Sequence, residues 1–407
     1  MRGFYLVGVF VCFVQLVSAQ TQNFWTKKND FSGGKRERAV AFSIGDYGYI
    51  GTGVDTAENV KKDFWRYDAV IDSWTQIANL PGAARRDAVG FAVNGKGYCG
   101  TGIDNDASFM GTKLKDFWEY NPATNTWVQK SDYPGGGGNG IYFSTAFTID
   151  SKGYLCGGKI GPNFYSSQLW EYKPANDQWS PRANFPGGVR YQLSSFSIGY
   201  YGYVGLGANQ DVFKKDFWKY NPVTNQWSAI ANLPGPERGG SATFTIGNKG
   251  YVCMGTDGGY LDDLWEYNPA NNTWYIRAFY GGSERKNSVA FTLGDKAYVG
   301  TGKGYSGKKS SIQEYTPYQY LGLGDQISLE MNIYPNPAQE TLSLIIPENL
   351  SGKVIIRDVL GKIHWDGDYT ENMELSINVQ SLKAGNYFVS FMDSENGVSG
   401  SSKFIKL

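Results

Sequence analysis

The sequence predicts an all-β chain: a six-bladed β-propeller closed by an N-terminal strand, followed by a small C-terminal β-sandwich. The first observation behind this is recurrence. Phe42, Phe91, Phe147, Phe196, Phe244 and Phe291 are each followed seven residues later by a Tyr, and each Tyr four residues later by a Gly. A W-x-Y comes next in five units, as Trp65/Tyr67, Trp118/Tyr120, Trp170/Tyr172, Trp218/Tyr220 and Trp265/Tyr267, with a second Trp nine residues after the first. A repeat of about 50 residues belongs to propellers and solenoids, whose units cannot bury both faces alone and must stack. The second observation is an offset. Trp74, Trp179, Trp227 and Trp274 precede the next repeat Phe by 17 residues, and Trp25 precedes Phe42 by the same 17. The third is the change of pattern after Tyr315, where the repeat gives way to strand-like runs such as ETLSLII, KVIIRDV and NYFVSFM.

Residues 1–19 start with one Arg, continue through an apolar stretch and end in Val17-Ser18-Ala19, the pattern of a secretory signal peptide. No later apolar run approaches the roughly 18 residues of a membrane-spanning helix, so none is expected after signal removal. Residues 20–320 are assigned to the propeller. Each unit supplies four strands: the alternating Phe run, the Tyr run, the W-x-Y run and the second-Trp run. Four short antiparallel strands make one blade. Asn121-Pro122 marks the turn between the last two, since Pro presets φ and offers no N–H to a ladder. The sixth unit ends its third strand at Tyr315 with no second Trp behind it. The segment around Trp25 is therefore expected to complete that blade and remove an open sheet edge. Residues 321–327 read as a linker and 328–407 as the sandwich.

Spacing also locates the variable surface. Phe-to-Tyr is always seven and Trp-to-Trp always nine, whereas Tyr-to-Trp varies from 14 to 20 and the Trp127-to-Phe147 connection lengthens to 20 through Gly135–Gly138. The uneven connections share one face, and loops on a rigid scaffold carry function. The longest contains Asp104, Asp106 and Phe109, which suit contact with a partner unless the loop has simply drifted. Six residues before the repeat Phe stand Arg36, Arg85, Arg190, Arg238 and Arg285, with Ile141 in the third unit. Such a ring can bind carboxylates of acidic or sulfated sugars through forked hydrogen bonds, or brace each blade against loop carbonyls. Two acid pairs, Asp104/Asp106 and Asp262/Asp263, are the arrangement that points to sugar hydrolysis or epimerisation. Composition narrows the choice. The 38 basic and 38 acidic residues leave no net charge, and no basic stripe suggests nucleic acid. The one histidine, His364, lies outside the propeller, so neither a zinc site nor another cofactor is expected. Cys99, Cys156 and Cys253 fall in equivalent strands of separate blades, too far apart to bridge, and read as buried thiols.

The recurring Tyr-x-Gly-x-Gly, W-x-Y and second Trp resemble the kelch family of propellers in its bacterial, galactose-oxidase-like form, over residues 20–320. The common double glycine of that family is contiguous here only at Gly157-Gly158. The resemblance implies a binding module that recognises a glycan or a surface or extracellular protein through its variable loops. The alternative it implies is a carbohydrate-active enzyme such as a sialic-acid mutarotase-like epimerase; the copper oxidases of the family need histidine ligands this chain lacks. Toward the C-terminus, Tyr334-Pro335-Asn336-Pro337, Gly361-Lys362, Leu382, Gly385, Tyr387 and the terminal Lys403-Phe404-Ile405-Lys406-Leu407 resemble the type A sorting domain of the type IX secretion system of Bacteroidota. This implies passage through the periplasm, recognition of the sandwich by the secretion machinery, and a propeller secreted or displayed on the outer-membrane surface.

Overall fold

The computed structural model describes residues 23–104, 111–317, 332–345, 352–358, 362–370, 374–393 and 399–407. The segment read as a signal peptide, the linker 321–327, and Asp106 and Phe109 lie outside them. Contacts divide the chain into two units, one spanning Gln22–Tyr318 and the other containing Gln319–Leu407. Among the described residues no helix is long and apolar enough to cross a membrane.

In the first unit the described residues form six four-stranded antiparallel sheets. Their inner strands are Val40–Ile44, Val89–Val93, Thr145–Ile149, Ser194–Ile198, Ala242–Ile246 and Val289–Leu293. Each is the Phe run of one repeat, and Val40–Ile44, Val89–Val93 and Ala242–Ile246 alternate buried and half-buried residues in the two-residue period of a strand. Inner strands touch their neighbours in the order one to six, and the sixth returns to the first, which closes a ring. This is a β-propeller, in which neighbouring sheets bury one another.

Packing between sheets explains the repeat. The glycine before the repeat Tyr receives the Phe of the preceding sheet: a Cβ at Gly202 would lie 2.2 Å from the Phe147 ring. Phe147 in turn stacks on Tyr154 at 5.2 Å. The outer rim is tied by a second repeated device. Tyr120, Tyr172, Tyr220 and Tyr267 donate to Asn125, Asp177, Asn225 and Asn272, whose side chains also accept from backbone N–H groups of the preceding sheet. The second Trp then donates to the carbonyl of the same gripped residue, as Trp127 to Ala78 at 2.9 Å and Trp274 to Ala231 at 2.8 Å.

The sixth sheet takes its outer strand from the N-terminus. Phe24–Lys28 pairs antiparallel with Ile312–Thr316, and Trp25 lies opposite Tyr315. That is the register of Trp127 opposite Tyr120 and Trp274 opposite Tyr267. Asn23 takes the place of Asn125 and accepts from the Ala278 N–H, while Trp25 donates to the Ala278 carbonyl at 3.0 Å. The expected clasp is therefore present down to its hydrogen bonds. Cys99, Cys156 and Cys253 are buried and unpaired, and burial pushes the Cys99 thiol up to about 12, as befits small core residues.

The second unit is a sandwich of a three-stranded sheet (Asn332–Tyr334, Thr341–Ile345, Leu375–Asn378) and a four-stranded one (Gly352–Asp358, Ile363–Tyr369, Gly385–Asp393, Ser399–Lys406). Leu342, Leu344 and Ile377 meet Val354, Ile356, Val389 and Phe404 between them. Asn336 ties the segment at Tyr334–Pro337 to the terminal strand: its amide donates to the Lys403 carbonyl at 3.1 Å and accepts from the Ile405 N–H at 3.0 Å. Ala338 extends the pairing through Ile405 and Leu407.

Trp25 replaces no covalent link, so its worth is measurable. Trp25→Ala should cost about 3 kcal/mol of stability, read by reversible denaturation of the full chain. An unchanged melting temperature would contradict the clasp.

Candidate functional site at the channel mouth

The inner strands enclose a channel of about 370 Å³, lined by small residues such as Ala41, Ser43, Ala92, Ser197, Thr245 and Thr292 between the repeat phenylalanines. At the end where the uneven connections emerge, the chain enters each inner strand through one residue four positions before the repeat Phe. These are Arg38, Asp87, Phe143, Gln192, Gly240 and Asn287. All six adopt left-handed backbone conformations, with φ of 59°, 55°, 57°, 56°, 62° and 53°. Their backbones form a closed circle of hydrogen bonds. Each N–H donates to the carbonyl of the equivalent residue in the preceding sheet, from Asp87 to Arg38 at 3.1 Å round to Arg38 to Asn287 at 3.1 Å. With Ala39, Ala88, Ser144 and Ser288 they line a cavity of about 100 Å³ at the channel mouth.

Side chains at the mouth form a network. Arg86 pairs with Asp87 at 2.7 Å, and Arg38 reaches Asp87 at 3.4 Å and Glu37 at 3.6 Å. The Asn287 amide donates to Glu37 at 2.9 Å, and Gln192 reaches Asn287 at 3.4 Å. Arg38 lies 5.0 Å over the Phe143 ring. The cavity therefore offers a guanidinium, a carboxylate, two amides and hydroxyls around one aromatic edge, which suits a small hydrogen-bonding group.

The repeat arginines sit one step outward. Arg36, Arg85, Arg190, Arg238 and Arg285 are at most 4 % exposed. Each caps the carbonyl of a residue with positive φ: Thr52, Thr101, Leu206, Met254 and Thr301, at 2.9–3.2 Å. Four of them also fork onto a carboxylate, Asp63, Asp116, Asp216 or Asp263, and that carboxylate accepts from the indole of Trp65, Trp118, Trp218 or Trp265. Burial pushes the Asp116 carboxyl up, but the Arg85 fork and the Trp118 indole outweigh it and hold it below the usual range; Asp63 and Asp216 behave alike. Sheet three lacks both partners at once. Ile141 replaces the arginine, Gln168 the acid, and Ser144 caps the Gly157 carbonyl at 2.9 Å. In sheet six Arg285 meets Ser311 at 3.0 Å.

These positions bear on two expectations. Of the two roles open to the arginines the geometry fits bracing, since all five are buried on a carbonyl oxygen and four are also forked onto an Asp. Asp262 and Asp263 are consecutive in one strand, so their side chains point to opposite faces and form no acid pair. Asp263 belongs to Arg238, and Asp262 is half-buried with its carbonyl accepting from Tyr280 at 2.7 Å. Asp104, half-buried in the loop of sheet two, accepts from the Thr112 N–H at 2.7 Å and so shapes its own turn. The mouth residues escaped sequence reasoning because they differ in every unit.

Comparison with known proteins bears on both units. Residues 332–406 match the family model described as the secretion system C-terminal sorting domain. That places export by type IX secretion, to the cell surface or the extracellular space, on the sequence of the second unit. The solved structure titled "Structure of YjhT" aligns with a TM-score of 0.59 and 18 % identity, over 70 % of this chain and 95 % of that one. The likeness is one of fold. No curated protein matches the chain.

Sheet three supplies its own experiment. Arg85→Ile alone leaves a half-buried carboxylate with only the Trp118 indole and a buried carbonyl uncapped, and should cost about 3 kcal/mol. Adding Asp116→Gln, which copies Ile141 and Gln168, should restore most of it. Asp116 carries a lowered pKa, so its contribution is fully present above the ordinary carboxylate value near 4 and is lost as the pH falls through the lowered one. Acid should therefore destabilise the native chain more than the double variant. Equal acid sensitivity would contradict the bracing role.

Proposed function

We propose that the first unit is a kelch-type, six-bladed propeller that binds the end of a glycan in the channel mouth, on the face where the uneven loops emerge. The observation that carries this is the contrast at the mouth ring. Its backbone is the same six times over, and its side chains are Arg, Asp, Phe, Gln, Gly and Asn. Five of the six keep a Cβ at a conformation that suits glycine, at a cost of about 1 kcal/mol each. Architecture asks only for the backbone circle, which Gly240 satisfies without a side chain. Strain kept at one ring of positions points to a role for the side chains. The cavity is small and polar, which favours a hydroxyl-bearing group over a folded protein surface. Exposed Tyr305 and Phe164, on the hairpins of sheets six and three, offer flat apolar faces to the rest of a saccharide.

Export precedes binding in this reading. The sorting residues Tyr334, Pro335, Asn336, Pro337, Leu382, Gly385, Tyr387, Lys403 and Lys406 act as one folded signal, since Asn336 fastens the proline segment to the terminal strand. Deletion of Lys403–Leu407 should leave the chain in the periplasm, measured by fractionation. Export at the native level would contradict it.

The binding reading is tested by probing the full chain on a glycan array and titrating the best saccharide into Asn287→Gly. The variant keeps the left-handed backbone and loses the amide. Affinity should fall about tenfold or more, the loss of one well-placed hydrogen bond to a ligand, with the melting temperature unchanged within a few degrees. Unchanged affinity would place the ligand elsewhere.

A further inference from the structure

The chain has no net charge, yet cations gather at the mouth. Lys159, on the long inner hairpin of sheet three, has its ammonium 4.1 Å from the Tyr191 ring centroid and 5.3 Å from that of Tyr165. Lys286 precedes Asn287 in sheet six, on the far side of the ring. Its ammonium lies 5.4 Å from the Tyr260 ring, which Tyr305 meets edge-on at 4.8 Å. Both lysines are half-buried. Among the described residues neither ammonium makes an ion pair or a hydrogen bond. Burial pushes both amines down, and Arg38 adds to the effect on each; Asp211, which accepts from the Tyr191 hydroxyl, and Asp87 oppose it at Lys159, while at Lys286 Glu37 opposes it and Lys303 adds to it. Arg38 itself holds Asp87 and Glu37 at 3.4 and 3.6 Å, and each of those acids has a closer partner, Arg86 at 2.7 Å or Asn287 at 2.9 Å.

A partly desolvated ammonium with acids nearby but none in direct contact is unfavourable, and a tyrosine face compensates only in part. Two such groups flank one small opening, with a guanidinium on its rim. An anion entering the mouth would give both lysines a partner and add one to those Arg38 already has. We propose that the channel mouth is an anion site in which Arg38, Lys159 and Lys286 receive the carboxylate or sulfate of a ligand, with its uncharged part against the half-buried Tyr260. This rests on the mouth being the binding site and adds the charge class of what enters it. Long-range attraction by the three cations speeds entry and weakens with salt. Because the amines titrate below their usual range, affinity declines as the pH rises through that lowered range.

The test is calorimetric titration of the full chain with sodium glucuronate, glucose and sodium sulfate, repeated on Lys159→Met/Lys286→Met. These methionines keep the apolar stems and remove the charges. Glucuronate should bind at least tenfold more tightly than glucose, weaken with added sodium chloride, and lose at least tenfold in the double variant at an unchanged melting temperature. Tighter binding of glucuronate than of sulfate assigns the anion to a saccharide; the reverse order assigns it to a free inorganic ion, and either supports an anion site. Equal affinity for glucuronate and glucose, no binding of either anion, or an unaffected double variant overturns it. If neutral saccharides from the array still lose affinity in Asn287→Gly, the mouth remains the binding site and only the anion assignment falls. If neither a saccharide nor sulfate binds, both fall; if sulfate alone binds, the anion site stands and the glycan reading falls.

Discussion

Closure of the ring is the constraint on which the other features depend. Six sheets in a circle leave no free edge only if the last one is complete, and its outer strand is encoded some 285 residues away from its neighbour, at Phe24–Lys28 beside Ile312–Thr316. The same seam is closed a second time at small radius, where the Arg38 N–H donates to the Asn287 carbonyl. Asn23 and Trp25 grip Ala278 at the rim while Arg38 and Asn287 meet at the mouth. One junction thus fixes both the outer wall and the opening a ligand would enter.

A chain that repeats itself carries its own controls. The Arg, the Asp and the caps on left-handed carbonyls recur because they hold the loops to the sheets. Where the arginine is absent the acid is absent too, as Ile141 and Gln168 show, which is what a bracing pair requires: a lone buried carboxylate would be costly. Two residues further along, the backbone recurs and the side chains do not. In the proposed reading, functional chemistry is carried by that variation, on a frame that recurs in every sheet.

Much of the frame was legible from spacing. The offset of Trp25 placed the closing strand and its register, and the constant and variable intervals separated the two faces. Asn23 was equally legible, since it stands two residues before Trp25 as Asn125 does before Trp127. The site was harder. A charged residue recurring near a channel reads as exposed, and only the coincidence of Arg with an Asp two residues before each first Trp signals a buried pair. Asp262 and Asp263 looked like partners because they adjoin, but a strand turns neighbours apart. Arg38, Asp87, Phe143, Gln192, Gly240 and Asn287 share no residue type, so a search for repeated chemistry passes over them. Their common feature is a backbone conformation, which five of these six positions adopt without the glycine that would have advertised it.

The central claim is that the mouth is a rigid circle, closed by backbone hydrogen bonds, from which dissimilar side chains face the channel. Native-state hydrogen exchange of the Arg38, Asp87, Phe143, Gln192, Gly240 and Asn287 amides tests it most directly. Protection of all six to nearly the same degree as the inner-strand amides, lost together when the ring opens, is the expected result. Exchange at the rates of exposed loops, or six unrelated rates, would contradict it.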